Sequence, residues 1–91
     1  MTSFIIVEAT VINPEKLAEY SAQAQPTLES YGGHFIAKGE VEILHGETLH
    51  TTKAIIEFPD KDSARNWYNS EAYQKLTSLR EQGIQSTFQL L

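Results

Sequence analysis

A strand that stops at a proline and passes at once into a capped helix is the feature that most narrows what this chain can fold into. Ile55-Ile56-Glu57-Phe58 is a bulky, β-branched run, and Pro59 closes it because proline cannot donate to a continuing ladder. Asp60 then offers a cap for the free N–H groups of a helix, and Ala64, Trp67, Tyr68, Ser70, Tyr73 and Arg80 follow before Gly83. The chain's only Trp and two of its four Tyr lie here. Most of the bulk and most of the chemistry therefore sit on helix that directly follows a strand, and the rest of the chain must supply the sheet beneath it.

Ser3 to Ile12 reads as a first strand, with Phe4, Ile5, Ile6, Val7, Val11 and Ile12 making both alternating rows largely apolar. Asn13-Pro14 starts a helix, Asn13 as cap and Pro14 at the first position, where its missing donor costs nothing. Leu17, Tyr20, Ala24, Leu28 and Tyr31 recur along one face, Pro26 is expected to kink or divide the helix, and Gly32-Gly33 ends it. His34 to Leu44 is the second strand, with a bulge or bend expected at Gly39. His45-Gly46-Glu47 turns the chain, and Leu49 to Phe58 returns as the third strand. A helix over Asp60 to Asn69 is followed by a second helical segment, capped by Ser70 and running to Gln82. Ile84 to Leu91 is the last strand, Phe88 and Leu90 alternating against Gln89. The order is β-α-β-β-α-β: an α+β, ferredoxin-like arrangement of one four-stranded antiparallel sheet with helices on one face.

A chain of 91 residues predicts one domain over 1–91, burying only about 60–65% of its unfolded surface, so association would help it. With no cysteine there is no disulfide or thiolate site, which agrees with a reducing cytoplasm. No apolar run approaches the ~18 residues of a membrane span, and the Met-Thr-Ser start lacks the basic region of a signal peptide. Seven Lys and Arg against twelve Asp and Glu give a net charge of −5, which repels phosphate backbones and anionic lipid. The expected protein is cytoplasmic and binds neither nucleic acid nor membrane.

A turn at Gly46-Glu47 sets Leu44 opposite Leu49 and, with no bulge counted, Ile36 opposite Glu57. In this fold the first strand lies antiparallel beside the third, and a register pairing Glu8 with Lys53 pairs Phe4 with Glu57. One row then holds Phe4, Ile6, Glu8, Thr10, Lys53, Ile55, Glu57, His34, Ile36 and Lys38. The other holds Ile5, Val7, Ala9, Val11, Ala54, Ile56, Phe58, Phe35 and Ala37. The second row is apolar throughout and belongs under the helices. The first is mixed, and as an uncovered patch it predicts a homodimer packed sheet to sheet, the alternative being a solvated open face.

Tyr20, the Tyr31-Gly32-Gly33 turn with Phe35, Glu57-Phe58-Pro59, Ala64, Trp67-Tyr68, Ser70, Tyr73 and Arg80 together resemble the pattern of domain-of-unknown-function family 1330, within the dimeric α+β barrel superfamily. The match spans nearly the whole chain. One departure is His34, which stands where Arg is frequent after the glycine pair. The resemblance implies a dimer whose two sheets face each other as a barrel with helices outside. Superfamily relatives include cofactor-free monooxygenases, isomerases and haem-binding enzymes, while the family itself has no settled activity.

Trp67, Tyr68, Tyr20, Tyr31 and Tyr73 are suited to line an amphipathic pocket between helices and sheet, with Arg80 pairing an anionic ligand. The same rings equally suit a core, with Arg80 held by a carboxylate. His34, at the mouth of the sheet, is a candidate general base, and Tyr73 a second candidate for proton transfer. Glu8 is expected to pair with Lys53 or Lys38. The histidines hold no metal, because His34 and His50 lie at opposite ends of the hairpin, on the order of 25–30 Å apart at ~3.3 Å per residue. No nucleotide-binding glycine loop or other cofactor motif is present. Two function classes stand: a cofactor-independent, monooxygenase- or isomerase-like protein binding a small organic molecule, and a non-enzymatic binding or interaction module whose open face serves dimerisation only.

Overall fold

The apolar rows of the strands, and the side-chain caps at Asn13, Asp60 and Ser70, produce the expected order in the computed structural model, which describes residues 1–91. β1 (Ser3–Val11) leads through α1 (Pro14–Glu29) to β2 (His34–Glu40) and β3 (Thr52–Phe58). Three helices follow, α2 (Lys61–Tyr68), α3 (Glu71–Gln74) and α4 (Thr77–Gly83), before β4 (Ile84–Leu90) closes the sheet. The strand order is β2-β3-β1-β4, antiparallel throughout.

Capping chemistry sets the starts of α1, α2 and α3. Asn13 Oδ1 accepts from the N–H groups of Glu15 and Lys16, Asp60 Oδ1 accepts from that of Ser63 at 2.7 Å, and Ser70 Oγ accepts from that of Tyr73. Pro26 does not divide α1, which runs unbroken to Glu29; a single forfeited bond leaves the rest of the ladder intact. α1 ends where Gly32 takes a φ of +73° and the Gly33 N–H reaches back to the Leu28 carbonyl. The second helical stretch, capped by Ser70 as expected, comes as two pieces, α3 and α4, rather than one segment to Gln82.

Between β1 and β3 the register is the one the sequence predicts, with Glu8 opposite Lys53 and Phe4 opposite Glu57. The β2–β3 hairpin differs in two ways. The bulge falls at Ile36, between Phe35 and Ala37, rather than at Gly39, and His34 rather than Ile36 faces Glu57. Beyond it the rows exchange: Ala37 joins Ile55 on the open face, and Lys38 joins Ala54 on the helix side. The strands are also shorter, residues 41–51 forming a loop tied at its base by the bond from the Val41 N–H to the Thr51 carbonyl. The physical reason is the missing neighbour: β1 pairs with β3 only as far as Thr52, so longer strands would project past the sheet with no third strand beside them. Leu44 and Leu49 are accordingly exposed.

The core lies between the helices and the odd-numbered row of β1. Ile5, Val7, Leu28, Ile56, Phe58, Ala64, Trp67, Tyr73 and Leu76 pack as one cluster, with Phe58, Trp67 and Tyr73 fully buried. α1 rests on α4 at very short range, because Gly83 presents no side chain to the Leu17 backbone.

Candidate functional site

Small side chains face one another beneath α1. Ala24 on the helix looks down on Ala9, Ala54, Val7 and Val11 of the sheet, while the seat on Gly83 fixes the height of α1. A cavity of about 200 Å³ results. Its roof is Leu17, Tyr20, Ser21, Ala24, Gln25 and Leu28, its floor adds Phe35, Ile56, Ile84 and Phe88, and Trp67 lines its wall. Lys38, Thr52 and Lys53 border it from β2 and β3. The lining is predominantly hydrophobic, with a few polar groups, as small-molecule sites are.

Tyr20 belongs both to this cavity and to a buried polar chain beside it. Its hydroxyl lies 2.6 Å from that of Tyr73. Arg80 Nη1 donates to the Tyr73 hydroxyl oxygen at 3.0 Å and to the Tyr68 hydroxyl oxygen at 3.1 Å, and Nη2 reaches Glu81 Oε1 at 3.3 Å. The guanidinium also lies 4.9 Å from the Phe88 ring centre. Arg80 Nε, buried against this aromatic surround, has no hydrogen-bond partner. Two phenols sharing one contact have two hydroxyl hydrogens but need only one. Either hydroxyl can donate in the Tyr20–Tyr73 contact, so one of the two hydroxyl hydrogens is not used in it.

The electrostatics follow from burial. Loss of water, and then the neighbouring Tyr73 phenol, push the Tyr20 hydroxyl well above the usual phenol range. Burial raises Tyr73 as well, against the opposing pull of its hydrogen bonds with Tyr20 and Arg80. Burial works against the charge on Arg80, but its bonds to Tyr73 and Tyr68 outweigh that and hold it above the ordinary value. At neutral pH Tyr20 and Tyr73 are thus neutral phenols beside the fixed Arg80 cation, donors rather than bases.

The structure brings together Tyr20, Tyr68, Tyr73, Trp67 and Arg80: Trp67 and Tyr73 ring centres are 4.2 Å apart, and Tyr68 and Tyr73 ring centres 5.2 Å. Only Tyr20 and Trp67 of these line the cavity. Tyr68 faces a shallower surface hollow beside β4, and Tyr31 packs half-buried against the core from the turn after α1. His34 stands apart on the open face, its Nε2 3.3 Å from Glu57 Oε1 and its side chain 62% exposed. Glu8 pairs with Lys53 at 3.1 Å, the first of its two expected partners. His50 is buried at the far end of the hairpin, where its Nδ1 meets the Thr10 hydroxyl at 2.8 Å. No group of three His, Cys, Asp or Glu side chains converges as a metal site would require. Of the cavity lining, the sequence singled out only Tyr20 and Trp67 for a site; Lys38, Gln25 and Ala24 are among those it did not. Ala24 on the buried stripe of α1 is the one legible signal among them, a small residue where a larger one would fill the space.

Fold and element order define a ferredoxin-like α+β protein, of the type found as dimeric α+β barrels. Within that class the chain belongs to the family described as Domain of unknown function (DUF1330), whose model matches residues 2–91. It is similar in structure to a protein of unknown function from Rhodopseudomonas palustris, with a TM-score of 0.79 at 17% identity, covering 99% of this chain and 80% of that one. It is also similar to SnoaB, a cofactor-independent oxygenase from Streptomyces nogalater, with a TM-score of 0.71 at 13% identity over 99% of this chain and 90% of that one. A dimeric ferredoxin-like protein of unknown function from Thermobifida fusca matches with a TM-score of 0.64 at 10% identity, covering 100% of this chain and 90% of the other. No curated protein matches the sequence. No helix is long and apolar enough to cross a membrane.

Proposed function

We propose that the protein is a cytoplasmic homodimer, joined through its open sheet faces, that binds a compact and largely apolar organic molecule in the cavity beneath α1. The observation that carries the binding reading is the cavity itself, about 200 Å³ and walled mostly by hydrophobic side chains. An apolar cavity of roughly 150 Å³ is enough for benzene, so a single ring with a short substituent fits this one. Dimerisation is supported by the half-exposed Phe4, Ile6 and Ile55 of the open face and by the dimeric description of the Thermobifida fusca neighbour. The acidic balance argues against a nucleic-acid partner. Alanine-methyl NMR with toluene as the probe tests the site. Shifts should concentrate at Ala9, Ala24 and Ala54; unmoved methyls at saturating toluene would remove the binding reading.

A second reading, in which the site transforms its ligand without metal or nucleotide, is favoured by Tyr20, a phenol that lines the cavity and is linked to Arg80 through Tyr73. A hydroxyl donor there stabilises negative charge developing on a carbonyl oxygen, as in enolisation, in which solvent water or hydroxide takes the α-proton and the enol forms as the oxygen is protonated. Tyr73 does not line the cavity and acts here as a positioning residue for Tyr20. The Streptomyces nogalater oxygenase shares the fold, and its cofactor-independent description agrees with this reading. The His34–Glu57 pair stands at the dimer joint rather than at the cavity. Deuterium uptake at the α-carbon of phenylacetone in heavy water reports enolisation; it should proceed faster than in buffer and slow by about a hundredfold in Tyr20→Phe. Uptake no faster than in buffer leaves a binding module.

A further inference from the structure

The cavity is apolar but not electrically neutral at its border. Of its two lysines, Lys53 is neutralised by Glu8 at 3.1 Å. Lys38 has no carboxylate within ion-pairing distance, and Glu40, two residues on along the same row, makes no bond with it. Its ammonium is instead held 4.2 Å over the ring of Phe35, itself part of the cavity floor. That position is created by the bulge at Ile36; without it Lys38 would point to the open face. An unpaired cation resting on the rim of a hydrophobic cavity matches one class of ligand.

On this basis, and resting on the binding reading above, we propose that the cavity selects a compact organic acid, a single ring or branched aliphatic group bearing one carboxylate, whose anionic end pairs with Lys38 while its apolar body fills the space under α1. Arg80, the cation that sequence alone favours for such an anion, is already committed to Tyr73, Tyr68 and Glu81 and does not line the cavity. Lys38 takes that role because it combines access with an unspent charge.

Benzoate and benzamide, nearly equal in shape but different in charge, separate the claims when titrated calorimetrically at low salt into the wild type and into Lys38→Met, which keeps an unbranched apolar stem. Benzoate should bind the wild type about tenfold more tightly than benzamide, and Lys38→Met should abolish that preference by weakening benzoate alone. Lys38 is exposed, so the variant retains its fold, to be checked by its melting temperature. Equal affinities in the wild type would overturn the choice of an anion and leave the cavity as a neutral site, while a benzoate preference that survives Lys38→Met would overturn Lys38 as the group that pairs with it. Failure of both probes to bind would overturn the anion inference together with the binding reading beneath it.

Discussion

Single hydroxyl groups decide how the interior of this protein is held. Tyr73 is fully buried and joins Tyr20 to Arg80, so Tyr73→Phe removes both of those bonds at once. It should lower stability by about 1–3 kcal/mol in urea unfolding. Tyr20→Phe removes only one end of the chain and should cost less; equal losses would show that Tyr73 is not the hub. The same phenols give an alkaline limit. Both have folded-state values above the ordinary phenol value of 10.0, so the folded protein keeps protons that the unfolded chain releases. Their contribution is complete below pH 10 and declines as pH rises above it; a Tyr20→Phe/Tyr73→Phe double variant should show a shallower loss between pH 10 and 11. The sequence marks Tyr20, Trp67, Tyr73 and Arg80 as one group, because helical spacing and bulk are local properties. It does not reveal whether they wall a cavity or fill a core, since that depends on how far α1 stands from the sheet.

Pairs of elements fix that distance. A methyl group on Gly83 would lie 2.8 Å from the Leu17 nitrogen and 3.0 Å from its Cα, contacts that only movement of α1 or α4 can relieve. Gly83→Ala should therefore destabilise the fold by about 1–3 kcal/mol, despite its better helix propensity, and should alter probe binding in the cavity by shifting its roof. A neutral or stabilising effect, as propensity alone would give, would show that the two helices are not in rigid contact. The caps, the Pro59 stop and the β1–β3 register could all be read from the sequence, because each follows from one residue type or from matched apolar rows. The bulge could not: Gly39 is the residue that invites one, yet the ladder slips at Ile36, where side-chain bulk carries no such signal. That one-residue slip exchanges Ala37 and Lys38 between faces, and with them the charge at the cavity border. A strand's face assignment is only as good as its register, and the edge strand β2 has a single neighbour to enforce it.

The whole molecule is a slab, 34 × 31 × 16 Å along its principal axes, with one helix layer on one sheet and nothing over the other sheet face. A compact monomer of 10.2 kDa exposes about 5,300 Å² by the usual scaling. This chain exposes 5896 Å², about 600 Å² more than that scaling gives. The excess is close to the ~800 Å² that each partner gives to a standard protein interface. The open face has the composition for such a contact: Ile6 and Ile55 are directly paired at its centre on the two inner strands, with Phe4 beside them and the Glu8–Lys53 and His34–Glu57 pairs at either end. An apolar centre bounded by polar side chains already paired within the chain is the arrangement of a protein interface, with its apolar core and polar rim. Light scattering should accordingly give twice the chain mass at micromolar concentration. Ile55→Glu sets a carboxylate at the centre of the face while leaving Ile56, Phe58 and Trp67 on the other side untouched, so it should yield a monomer with an unchanged near-ultraviolet dichroism from the buried aromatic rings. A wild-type monomer, or an Ile55→Glu protein that dimerises as tightly as the parent, would show that this face is simply solvated, as antiparallel sheets allow.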